Sequence, residues 1–215
     1  MKRPGPLLTL LAGLLVGVFM LSLNATTGTR NASSSPPTTA TPTPTPKSSP
    51  APSPSPSKTP IPDARYTGRT DDDSASVAVT LRGGKALAYY CDGRAEEAWL
   101  KGDVNDDGTM RLTAEDGSVL NGALKEGNRI RGTVDVGGGS QAFTADRTTK
   151  PAGLYRATAT VNGTETDGGW IVQPDGGQVG ILTRDGRPAP APRLDPGTGA
   201  VTVDGQRLTA RPATP

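Results

Sequence analysis

The stretch Val77-Ala78-Val79-Thr80-Leu81-Arg82-Gly83-Gly84-Lys85-Ala86-Leu87-Ala88-Tyr89-Tyr90-Cys91 decides the fold. Val77, Val79 and Leu81 alternate with Ala78 and Thr80, the period of two that belongs to a strand with one face in a core. Gly83-Gly84 supplies the positive φ of a two-residue hairpin turn, and Ala86 to Cys91 returns. The same grammar recurs at 98–104, 110–114, 119–124, 130–136, 142–145, 154–161, 169–173, 179–183, 200–204 and 207–210. The punctuation between these runs is Asp106-Asp107-Gly108, Asp116-Gly117, Gly127-Asn128, Gly137-Gly138-Gly139, Asp175-Gly176 and Asp185-Gly186, residues that tolerate tight turns. No stretch past Asp63 sustains a helical period over three turns. Arg94 to Leu100 is the one candidate, for a turn or two. The expected fold is therefore all-β: an antiparallel meander forming a curved sheet, a barrel or a two-layer sandwich.

Within the meander Leu100-Lys101-Gly102-Asp103-Val104, Leu120-Asn121-Gly122-Ala123-Leu124 and Ile130-Arg131-Gly132-Thr133-Val134 all read apolar-x-Gly-x-apolar. A glycine on the apolar face of a strand removes a side chain where a sheet must coil or a large neighbour must pack. Tyr89, Trp99, Phe143, Tyr155 and Trp170 are the natural fillers. About ten strands would strain a flat open sheet, so closure or division into two layers is expected.

Working toward the N-terminus, the composition changes abruptly. Residues 27–62 collapse to Thr, Ser, Pro and Ala, with near-perfect dipeptide repeats at Thr41–Pro46 and Ser53–Ser57. Such a segment has nothing to bury, and alternate prolines favour polyproline II, so the expectation is a disordered linker reaching on the order of 100 Å. Before it, Lys2 and Arg3 precede the apolar run Leu7 to Leu23, the charged-then-apolar order of an export signal. Leu23-Asn24-Ala25 is an imperfect cleavage site, while residues 7–26 approach the roughly 30 Å of a bilayer core. The sequence favours a retained signal-anchor over residues 1–26, a single hydrophobic helix, with a secreted product if cleavage occurs near Ala25. The positive-inside bias then places residues 63–215 outside the membrane as one domain. No cysteine follows the apolar run, which excludes a lipoprotein anchor.

All 21 Asp and Glu lie at or after Asp63, together with 18 of the 23 Lys and Arg, so the domain is mildly acidic although the whole chain carries +2. A nucleic-acid surface is excluded on that balance. One cysteine, Cys91, allows no internal disulfide, and it reads as a small buried hydrophobe. There is no histidine anywhere, which removes the commonest general base and metal ligand.

Three features carry candidate chemistry. Asp103-Val104-Asn105-Asp106-Asp107-Gly108 matches the opening of an EF-hand loop, with Asp103, Asn105 and Asp107 at ligand positions and glycine at the sixth. Ala114 then stands where the closing bidentate Glu belongs, and the plain reading is an Asp-rich hairpin turn; calcium is the one cofactor the sequence suggests. Glu96-Glu97 beside Trp99 pairs carboxylates with an aromatic, but neighbours on a strand point to opposite faces and cannot flank one bond. Asp71-Asp72-Asp73 reads as a solvated loop. Trp99 and Trp170 are the residues to consider for ligand stacking, against the alternative of core packing.

The segments 88–93, 97–102, 151–157, 168–172 and 179–182 together resemble a family of actinobacterial, especially streptomycete, envelope proteins in which a similar β domain follows an N-terminal membrane segment and is sometimes fused to serine/threonine kinases. The resemblance implies an extracytoplasmic location and a sensing role, and it carries no catalytic residues to transfer. The leading expectation is a membrane-tethered, non-catalytic binding or structural module of the cell envelope, engaging cell-wall polymer or an envelope protein. A sensor domain parted from its kinase and a histidine-free carboxylate enzyme are the alternatives.

Overall fold

A computed structural model describes residues 61–215, all of them strand, turn or loop. The signal-anchor and nearly all of the linker lie outside the described residues.

The first eight strands close on themselves. They are β1 (Ala64–Thr70), β2 (Ser76–Arg82), β3 (Lys85–Cys91), β4 (Glu97–Asp103), β5 (Thr109–Thr113), β6 (Val119–Lys125), β7 (Arg129–Val136) and β8 (Gly139–Thr148). Each pairs antiparallel with the next, and β1 returns to pair with β8, so the meander is a closed barrel. The hairpin predicted at 77–91 is β2–β3, with Arg82 opposite Lys85 across the Gly83-Gly84 turn.

Closure needs sharp coiling, and glycine provides it. A methyl group on Gly132 would run into the Asn121 carbonyl of the neighbouring strand, and one on Gly68 into that of Thr144. Only a residue without Cβ lets the backbones approach this closely. Tyr66, Tyr90, Leu100, Leu112, Ile130 and Phe143 fill the interior with almost no exposure. The two tyrosines stay satisfied there: Tyr66 donates to the Gly127 carbonyl at 3.0 Å and Tyr90 to the Gln141 side-chain oxygen at 2.9 Å. The barrel is thus a packed core.

The chain then builds a second, five-stranded sheet in the order β12-β11-β10-β9-β15, and a separate hairpin β13–β14. Its strands are β9 (Gly153–Val161), β10 (Thr164–Val172), β11 (Gln178–Arg184), β12 (Arg187–Pro190) and β15 (Arg211–Pro212); the hairpin is β13 (Ala200–Val203) with β14 (Gln206–Thr209). One face of the sheet buries Leu154, Ile171 and Ile181 against the barrel's outer residues Ala78, Leu87, Tyr89 and Cys91. Burial of each such aliphatic side chain is worth about 1.5–3 kcal/mol. This docking explains why β2 and β3 are buried on both faces. The sheet's other face holds Tyr155, Trp170, Val172 and Leu182 against Val201 and Val203 of the hairpin.

The one helical candidate, Arg94–Leu100, forms no helix. Asp92 accepts main-chain hydrogen bonds from Arg94, Ala95 and Glu96 at 2.8–3.0 Å, which fixes a tight loop, and Glu97 already begins β4.

Candidate functional site

Strand register builds the site. On the barrel-facing side of the second sheet, Arg156 lies opposite Gly169, Thr158 opposite Asp167, and Thr160 opposite Glu165. Asp167 in turn lies opposite Thr183 on β11. The sheet is longer than the barrel surface that covers it. Its side chains therefore run from fully buried (Leu154, Ile171), through half-buried (Arg156, Asp167, Thr183), to exposed (Thr158, Thr160, Glu165, Asp185). The overhang forms a polar ledge enclosing about 500 Å³, lined by hydroxyls and carboxylates.

At the back of the ledge the two layers are stitched by polar contacts. Tyr89 and Thr183 donate to the two carboxylate oxygens of Glu97, each at 2.7 Å, one from the barrel and one from the second sheet. Arg156 donates to both oxygens of Asp167, at 2.9 and 2.5 Å, with both side chains more than one-third exposed. This fork, chiefly its hydrogen bond to Asp167, holds the guanidinium pKa above its ordinary value. Its carbon also lies 4.4 Å from the centre of the Trp99 ring, a cation–π contact. Trp99 in turn stacks on Tyr89 with ring centres 4.3 Å apart.

Gly169 makes this arrangement possible: a Cβ there would sit 2.5 Å from the Tyr89 ring and 2.7 Å from that of Trp99. Burial first, and then the neighbouring Cys91 and Glu97, push the Tyr89 phenol well above its usual pKa. Cys91 is fully buried in the same joint, where lost hydration pushes its thiol up to about 11, far from a reactive thiolate.

Beside the ledge the barrel wall is split. β4 has seven residues and β5 only five, because the chain turns at Glu115–Gly117, a turn held by Ser118 N–H donating to Asp116. The two strands pair at Lys101–Thr113, with a bridge at Val104–Met110, and beyond Lys101 the first half of β4 has no strand on that side. A cleft of about 350 Å³ opens there, lined by Glu97, Trp99, Lys101, Glu115, Asp116 and Arg156.

Of the residues singled out in the sequence, Trp99 stands in this site, half-buried and already engaged by Tyr89 and Arg156. Trp170 does not: it is 1 % exposed, and its indole N–H donates to the Pro192 carbonyl at 2.8 Å, so its ring has no face for a ligand. Asp103 ends β4, and Asn105 and Asp107 belong to the β4–β5 turn that follows. Asp103 pairs with Lys85 at 2.8 Å, Asp107 accepts from both the N–H and the hydroxyl of Thr109, and the Asn105 amide donates to that same hydroxyl. Among the described residues no three acidic or cysteine side chains gather as a metal site would require. Glu96 and Glu97 part as expected, Glu97 into the joint and Glu96 toward the Gly137 turn. Arg156, Asp167 and Thr183 were not picked out in the sequence. Their only signal there is a charged or hydroxyl residue at an alternating strand position, which also describes an ordinary solvent face. Comparison of the chain with family models, curated proteins and solved structures finds no match.

Proposed function

We propose that this chain is a non-catalytic, membrane-tethered binding module of the cell envelope, and that it binds through the ledge at the joint between barrel and second sheet. The observation that carries this reading is the ledge itself. It gathers exposed Thr158, Thr160, Glu165 and Asp185 around Asp167, whose fork to Arg156 leads to Trp99 in the adjoining cleft, whereas the barrel interior is filled by its own side chains. Fixed polar groups around a partly exposed aromatic are the usual make-up of a recognition surface. Both Glu97 oxygens accept protein hydrogen bonds and Asp167 is forked to Arg156, which supports holding a ligand rather than transferring a proton. The export signal at Lys2–Leu23 and the Pro/Thr/Ser segment behind it support display outside the membrane.

The test uses the full chain in detergent micelles, incubated with separated cell-wall polymer and envelope-protein fractions. Thr158→Arg with Glu165→Lys changes exposed side chains of the ledge and leaves both cores intact. At least tenfold weaker retention of one fraction by this variant is expected. Equal retention by wild type and variant, or none by wild type, sinks the reading.

A further inference from the structure

We propose that the split in the barrel wall beside the ledge is a strand-addition site: an extended, basic peptide segment pairs with the free edge of β4 at Glu97–Leu100. The inference rests on the binding role proposed above and names a partner class for the cleft that adjoins the ledge.

The alternation of an antiparallel ladder fixes which main-chain groups are open. Val104 N–H donates to the Gly84 carbonyl on the β3 side, whereas Asn105 N–H donates to the Thr109 carbonyl on the β5 side. Odd-numbered residues of β4 therefore turn their N–H and C=O toward β5, and even-numbered ones toward β3. Lys101 finds its partner in Thr113. The next odd positions, Trp99 and Glu97, would face residues 115 and 117, but the chain has left the ladder at the Glu115–Gly117 turn. Two pairs of donors and acceptors thus point into the cleft with no strand opposite, along an edge about 13 Å long at the usual rise per residue. Such a row is a template for an added strand.

The outermost strands of the second sheet are poorer templates. β12, the outer strand of the second sheet, carries Pro188 and Pro190, and β15 is a two-residue strand that ends in Pro212. Proline removes the N–H that an added strand would accept from. The β4 edge has no proline and is flanked by the cation-loaded Trp99 ring.

Charge selects the occupant. Glu97, Glu115 and Asp116 line the cleft against a single unanswered cation, Lys101, because the charge of Arg156 is met by Asp167. A peptide alternating Lys or Arg with β-branched residues satisfies both the ladder and the excess of carboxylates.

The experiment uses the full chain in detergent micelles and a fluorescent eight-residue peptide of alternating Lys and Val. Its controls are the Glu/Val analogue and a Lys/Val peptide N-methylated along one edge. Anisotropy is expected to give a micromolar Kd for the Lys/Val peptide, at least tenfold weaker for each control and for Glu115→Lys with Asp116→Lys. Hydrogen exchange at residues 97–100 is expected to slow at least tenfold on binding. Unchanged exchange there, or tolerance of N-methylation, overturns strand addition. Equal binding of the acidic analogue overturns the charge assignment. If envelope fractions are retained but no peptide binds, this inference fails and the broader reading stands; if peptide binds and no fraction is retained, the broader reading fails instead.

Discussion

Thr183 on the second sheet donates a 2.7 Å hydrogen bond to Glu97 on the barrel, across 86 residues of sequence. The acceptor is a carboxylate, so the bond is of the charge-assisted kind and fixes how the two layers seat on each other.

Thr183→Val removes this donor and is expected to destabilise the domain by about 1.5–3 kcal/mol, the range for a hydrogen bond to a charged group. Tyr89→Phe removes the other donor to the same carboxylate. Urea unfolding of the two single variants and the double should reveal coupling of at least ~0.5 kcal/mol through Glu97. Strict additivity would mean that apolar contact alone holds the joint.

Gly169→Ala places a methyl group within 2.5 Å of the Tyr89 ring. The stacked pair must shift, and the expected cost is about 1–3 kcal/mol. Thermal unfolding reads the loss, and near-ultraviolet circular dichroism of the Tyr89–Trp99 pair reads the displacement. An unaltered spectrum with unaltered Tm would show that the rings yield freely.

Alkaline pH should weaken the same joint. The Cys91 thiol titrates near 9.0 when solvated and at about 11 when folded. Stability is therefore flat below pH 9 and falls as pH rises toward 11, because only the unfolded chain ionises in that window. The two-unit gap amounts to roughly 2–3 kcal/mol. Tyr89, also raised by burial, extends the decline above pH 10. Cys91→Ala should abolish the fall between pH 9 and 10 in urea unfolding. A variant that declines just as early would assign the effect elsewhere.

For the Asp103–Gly108 turn, the melting temperature of the chain is expected to be the same in millimolar calcium and in chelator. Its polar groups already hold Lys85, Thr109 and each other. A rise of several degrees with calcium would identify a site instead.

The sequence revealed most of the strands because alternation survives wherever only one face is buried. It correctly marked Gly132 and its repeat as coiling positions. It missed β1, where Tyr66 is the one large apolar side chain in Ala64–Thr70 and Ala64, Gly68 and Thr70 take the other inward places. It missed β12 because two prolines mask a strand that has only one neighbour. The joint was hidden for a different reason. Tyr89 as a filler and Cys91 as a buried hydrophobe were expected, but not the layer that buries them, which lies more than sixty residues away in sequence. Trp99, which stands half-buried, was marked in the sequence both as a filler and as a candidate for stacking. Its clamp was not, since Arg156 and Asp167 acquire meaning only from the register of β9 against β10.

β1 also has a mechanical meaning. It is gripped along nearly its whole length on both sides, by β2 from Ala64 to Arg69 and by β8 from Arg65 to Thr70. Tension arriving along the chain from the N-terminal side reaches this strand first. It meets two parallel rows of hydrogen bonds loaded in shear, where a terminal hairpin would peel open bond by bond. The fold thus holds on both sides the strand through which a pull from the N-terminal side would enter the barrel.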